Sequence, residues 1–165
     1  MNKQVLVIYR EADRVLPYRD ALLAAGLNPV MREANGPLSI SGSDGPVLTG
    51  GPDVDPALYG ETRQAETEQP DGVPNVAGAG NWRVNSRDHQ AVKTVAGNLR
   101  VAAFDPEDRT VGALDHPDRR FVLGVQWHPE DQARIDPGQL KIFRSFRRGN
   151  SLRGLRKSND ILSRG

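Results

Sequence analysis

The chain of 165 residues contains no cysteine. That absence excludes a disulfide framework, a thiolate metal site and a cysteine nucleophile. An excess of charge of one sign is lacking too: 22 Lys and Arg stand against 21 Asp and Glu, so no overall field draws the chain to nucleic acid, anionic membrane or acidic substrates. No apolar run is long enough to span a bilayer. The polar start MNKQ, followed by a short apolar stretch, is unlike a signal peptide. There is no internal repeat and no heptad. What remains is a length that suits one domain, able to bury about two thirds of the surface of its unfolded form. The simplest expectation is a soluble cytoplasmic protein, although a chain without cysteine is equally at home in an oxidising compartment.

The patterning that is present reads as α/β. VLVIY at 5–9 is a continuous β-branched and apolar run, as expected of a strand covered on both faces. A helix should follow from Arg14, with Leu16, Ala21, Leu22 and Ala25 near helical spacing, Pro17 in the first turn and Gly26 as the stop. LNPVM at 27–31 reads as a second strand, and PVLTGGPDVDP at 46–56 as a third that ends in a Gly-Gly-Pro loop. Open parallel sheets place ligands at such loops. Between Gly60 and Gly80 the chain turns polar, acidic and rich in Pro and Gly, without a periodic apolar pattern, and is read as a loop over 61–80. WRVNS, a DHQAVKTV stretch of helical character, and three strand candidates (LRVAAFD, TVGALD and FVLGVQW) come next, the last three separated by Asp-Pro-Glu-Asp and His-Pro-Asp turns. Leu140, Ile142, Phe143 and Phe146 form the stripe of a closing helix. Residues 149–165 are basic and poorly patterned; no aromatic residue interleaves with those charges, so a frayed, solvated tail is expected rather than a nucleic-acid site.

GVQWHPE at 124–130 carries the chemistry most visibly. It sets His128 at the carboxyl end of a strand, lets Pro129 turn the chain and follows with Glu130. A carboxylate that orients one imidazole nitrogen leaves the other free to take a proton from a nucleophile. The plainer reading is a capping histidine in a strand-to-helix turn. As metal ligands, His89, His116, His128 and Glu130 match no compact zinc spacing, and His116 in LDHPD reads as a turn residue. Asp53 and Asp55 read as turn and N-cap chemistry before they read as cation ligands. No metal or other cofactor is expected.

Three blocks together carry a resemblance. LTGGPDVDPALYGE at 48–61, VNSRDHQAV at 84–92 and FVLGVQWHPE at 121–130 resemble the γ-glutamyl-γ-aminobutyrate hydrolases of the class I glutamine amidotransferase-like group, in that family's order and over most of residues 1–146. The resemblance implies a flavodoxin-like, open, mostly parallel sheet in a single domain over 1–148. It implies a Cys-His-Glu triad, in which the thiol attacks a γ-glutamyl amide and a thioester is then hydrolysed. His128 and Glu130 match the second and third members. Gly50 and Gly51 match the loop whose backbone N–H groups hold the oxyanion, and Ser86, His89 and Gln90 match a block beside the substrate pocket. Asp88 stands where the family commonly has histidine, and Pro52 where it often has a third glycine.

The larger departure is what the family places before the VNSRDHQAV block: a helix, an apolar strand and a Gly-x-Cys-x-Gly elbow, with further elements after it. Here only the stretch from Thr62 to Arg83 spans that gap. The nucleophile strand and its elbow are therefore expected to be missing. Ser86 is the best local substitute, but a serine hydroxyl depends on accurate placement that a lost elbow does not supply. Loss of an inner strand also predicts exposed sheet edges that invite self-association. Three readings follow: a hydrolase of γ-glutamyl amides impaired by the missing thiol, a non-catalytic module that binds a γ-glutamyl ligand or a protein, and a decayed gene product.

Overall fold

The computed structural model describes residues 2–51, 75–76, 82–86, 88 and 90–148. Most of the 61–80 loop, the 149–165 tail, Pro52, Asp53, Asp55 and His89 lie outside the described residues. The chain divides into two compact units, Met1–Gly51 with Pro129–Gly165, and Pro52–His128.

The first unit is built on a parallel sheet. β1 (Gln4–Tyr9) is its central strand, flanked by β2 (Asn28–Glu33) and β3 (Gly45–Leu48) in the order β2-β1-β3. Both neighbours run parallel to β1, with Val7 opposite Met31 on one side and Val47 on the other. The α/β class and the parallel pairing are those expected, in a small sheet of three strands. The β-branched run makes the central strand because Val5, Leu6 and Val7 are all buried, which suits a strand covered on both faces. α1 (Leu16–Ala24) connects β1 to β2, with proline in its first turn. Gly26 follows it at φ +75°, a left-handed conformation that glycine adopts without a Cβ penalty.

α2 (Pro129–Gln132) and α3 (Pro137–Arg148) return to this unit from the far end of the chain. The expected stripe holds in part by burial and in part by contact: Ile142 and Phe143 are buried, while Leu140 and Phe146 pack against the core cluster. That cluster joins Val5, Val7, Val15, Ala21, Leu22, Ala25, Leu27, Ala133 and Phe143. Leu16, expected on the inner face of α1, is instead 48% exposed, because Val15 just before the helix fills the place at the core. β3 is an edge strand, and Leu48 on it is 72% exposed. Among the described residues no strand pairs with its outer side.

The second unit is antiparallel. β4 (Asn75–Val76) pairs with β5 (Trp82–Arg83), and β6 (Arg100–Phe104), β7 (Val111–Asp115) and β8 (Leu123–Val125) form a meander in that order. The three later strands thus turn back on one another and do not extend the parallel sheet. Their short connections decide this, since a few residues can join only antiparallel neighbours. The first connection is fixed by Asp105, whose carboxylate accepts the Glu107 N–H at 2.7 Å, and by Arg109 at φ 67°, with its guanidinium 3.7 Å from the centre of the Phe104 ring. In the second, His116 Nδ1 accepts the Asp118 N–H at 3.2 Å, the turn role expected of it. Arg100 grips the buried Asp115 with both Nε and Nη2 across the β6–β7 pair. FVLGVQW forms only a three-residue strand at the sheet edge, half-exposed where a buried strand was expected. No helix forms over 90–98.

Among the described residues no helix is long and apolar enough to cross a membrane.

Candidate functional site

Glu130 lies in the first turn of α2 and is only 4% exposed. A carboxylate taken out of water needs hydrogen-bond donors, and Tyr18 in α1 provides one. The Tyr18 hydroxyl donates to Glu130 and also accepts the Gly50 N–H at 3.1 Å. Burial, the charge of Glu130 and its hydrogen bond, and the charge of Asp131 all push the Tyr18 phenol well above the usual tyrosine range; the Gly50 N–H pulls the other way and is outweighed. One hydroxyl therefore links the glycine loop after β3 to the acid of the GVQWHPE block. Gly50 and Glu130 were singled out in the sequence for other roles, as oxyanion loop and triad acid, and Tyr18 was not singled out. Tyr18 lies in the first turn of the helix that follows β1, and an aromatic hydroxyl at the carboxyl end of a parallel sheet is the one signal that could have revealed it.

Gly51, the second glycine of the loop, is exposed, and a Cβ built on it meets nothing within 4 Å. Crowding among the described residues does not require glycine there.

The other polar cluster belongs to the second unit. β8 ends at Val125, and the chain bends through Gln126 and the buried Trp127 to His128. The His128 backbone N–H donates to the Asn85 carbonyl at 3.2 Å, tying the third sequence block to the second. His128 Nε2 lies 3.5 Å from Asp88 Oδ1, with the histidine side chain 16% exposed. The other Asp88 oxygen accepts the Gln126 amide at 2.6 Å, and the same amide reaches the Gln90 carbonyl at 3.0 Å. Of the residues read from sequence in this block, His128 and Gln90 are thus joined through Asp88 and Gln126. Ser86 is half-buried, one residue past the Asn85 bridge, and His89 lies outside the described residues.

A neutral imidazole that donates from the nitrogen facing a carboxylate keeps its other nitrogen as an acceptor. An apolar concavity lies beside Gln126, between Val92, Leu114 and Val125, with about 110 Å³ of space. Ligand pockets usually measure ~300–1,000 Å³. Among the described residues, no charged side chain lines this groove. Among the described residues, no group of three or more His, Asp or Glu side chains is placed to hold a metal ion.

Comparison with known proteins agrees with the sequence blocks over part of the chain. Residues 72–130 match the Peptidase C26 family, a class I glutamine amidotransferase-like group. The match includes the second and third blocks and ends at Glu130; the first block lies outside it. A glutamine amidotransferase-like protein of Rickettsia prowazekii is 47% identical over 47 residues, 28% of this chain and 16% of that protein. The γ-glutamyl-γ-aminobutyrate hydrolase of Escherichia coli K12 is 46% identical over 52 residues, 30% of this chain and 19% of its own length. Protein NtpR of Enterococcus hirae is 49% identical over 51 residues, 30% of this chain and 20% of that protein. Each matched stretch thus spans a fifth or less of these curated relatives.

Proposed function

We propose that this chain is a relative of the γ-glutamyl hydrolases that has lost amide cleavage and retains recognition of a γ-glutamyl compound. The observation that carries the reading is the absence of any cysteine in a chain that still has the His-Pro-Glu block. Amide hydrolysis by this group, as the resemblance implies it, starts with a thiolate whose proton the histidine has taken. Without sulfur no thioester forms, and a base alone does not replace the nucleophile.

The surroundings of the surviving residues favour the same reading. His128 Nε2 faces the Asp88 carboxylate, where the family commonly has a histidine. Serine attack from Ser86 needs close alignment of its hydroxyl with the base, which the lost elbow expected from the resemblance would not supply. Recognition needs less than catalysis does. A γ-glutamyl group offers carboxylate and carbonyl oxygens, and backbone N–H groups of a glycine loop can bind these without any reaction step.

Two measurements test the proposal. Turnover of γ-glutamyl-γ-aminobutyrate by the purified chain should not exceed that of its His128→Ala variant; activity that disappears with His128 refutes the loss of chemistry. Calorimetric titration with glutamate and with γ-glutamyl-γ-aminobutyrate should show saturable heat at millimolar ligand or below. Absence of heat from both ligands refutes retained recognition.

A further inference from the structure

We infer that Tyr18 is an internal gate on the glycine loop: its hydroxyl occupies the Gly50 N–H and is anchored there by the Glu130 carboxylate. The resemblance assigns the glycine-loop amides to an external oxygen. In this structure the oxygen on the Gly50 amide comes from the protein itself, 3.1 Å away and 32 residues distant in sequence.

The arrangement is chemically one-directional. A phenol can donate one hydrogen bond and accept others. The buried Glu130, an acceptor only, fixes the donated bond, so the phenol oxygen turns its lone pairs toward Gly50. An isolated phenol would exchange such a contact for water at little cost. Here the carboxylate holds it, and the ring is wedged among the residues packed on the core of the first unit. The other charged group acting on the hydroxyl, Asp131, also favours the neutral phenol and so the donor role. A ligand oxygen that seeks the Gly50 amide must displace the hydroxyl while the phenol keeps its bond to Glu130. The gate therefore selects for strong acceptors, carboxylate or carbonyl, and against weak ones. This last step rests on the recognition reading given above; occupation of the amide by Tyr18 does not.

Tyr18→Phe removes the oxygen and keeps the ring. Its effect is read at the Gly50 amide by hydrogen exchange, in the unliganded protein. Exchange should accelerate about tenfold, the factor expected for a hydrogen bond of ordinary net strength, while the core amides of Val7 and Leu22 keep their protection. Unchanged exchange at Gly50 overturns the gate. If the variant does not fold, ring-labelled tyrosine in the unmutated protein decides the matter. The Tyr18 resonance should not titrate up to about pH 10, where a free phenol is half ionised, and titration within that range overturns the anchoring by Glu130. Glutamate should then bind Tyr18→Phe about tenfold more tightly than the unmutated chain, if one displaced hydrogen bond sets the difference. Equal or weaker binding overturns displacement as the entry step. Failure of both proteins to bind glutamate, with Gly50 exchange accelerated, removes the recognition reading and leaves the Tyr18 contact established.

Discussion

The two units hold their polar clusters on unlike supports. In the first unit, Tyr18 and Glu130 adjoin a continuous core of nine buried residues, drawn from β1, α1, the segments around α1, α3 and the turn after α2. In the second, the buried apolar side chains among the described residues are Val84, Ala103, Ala113 and Trp127, and much of the order comes from polar contacts. The Arg100–Asp115 pair, the capped turns at Asp105 and His116, and the Gln126–Asp88 bond are of that kind. Apolar burial tolerates small displacements, whereas a hydrogen bond weakens steeply with angle and distance. The first cluster is accordingly held by packing, and the second by agreement among its own members.

The sharpest way to break this contrast is to cut into the larger core. Leu22 is fully buried, and Leu22→Ala should cost about 2–5 kcal/mol, the range for a leucine truncated in a core. Urea unfolding followed by circular dichroism checks the cost. Residue-resolved hydrogen exchange then decides the contrast: protection should fall at Val7 and persist at Ala113. Equal loss at both positions means one cooperative block, and the distinction between the units disappears.

Gly45→Ala should follow, at about 1–3 kcal/mol for a strained backbone position. Gly45 has φ +154°, and a Cβ on it would lie 2.9 Å from Phe146 Cζ, against α3. The same unfolding measurement reads it, and a neutral result means that Phe146 can swing away. In the second unit, Arg100→Met leaves the buried Asp115 carboxylate without its guanidinium. The loss should be smaller, because the arginine side chain is 32% exposed and its contact is partly screened. It should appear as faster exchange at Ala113 with Val7 unaffected.

The smallest effect concerns pH. The Thr110 N–H donates to Asp108 at 2.8 Å, and this bond with the Thr110 hydroxyl holds the Asp108 carboxyl below the usual aspartate range. The folded state therefore binds that proton more weakly than the unfolded chain. Its contribution is complete above about pH 4 and is lost as the pH falls through the lower folded value. Asp108→Ala should be slightly less stable than the unmutated chain at pH 7, and the gap should close in acid. A gap independent of pH assigns the effect to turn geometry instead of charge.

Much of the first unit was legible because local signals and tertiary demands coincide there. VLVIY has only one way to be buried, and Pro17 and Gly26 bracket α1 by backbone chemistry alone. In the first unit, Glu130 and Gly50 stood out in the sequence and the tyrosine that joins them did not. Tyr18 acquires its role from Gly50 and Glu130, both remote in sequence, so no local pattern marks it. DHQAVKTV suggested a helix, yet the Gln90 carbonyl accepts the Gln126 side chain at 3.0 Å. A distant amide thus claims an acceptor that a helix would have used. FVLGVQW was read as buried from its composition, and composition does not tell a central strand from an edge strand.

The first unit is discontinuous: Met1–Gly51 is completed only by the segment that begins at Pro129. During translation, at ~5–20 residues per second, β1 and α1 leave the ribosome several seconds before Ile142 and Phe143 exist to cover them. For most of that interval all three strands of the parallel sheet exist while Ala133 and Phe143 of its core do not. A product that ends before α3 would lack Phe143, and with it one of the nine buried residues of that core.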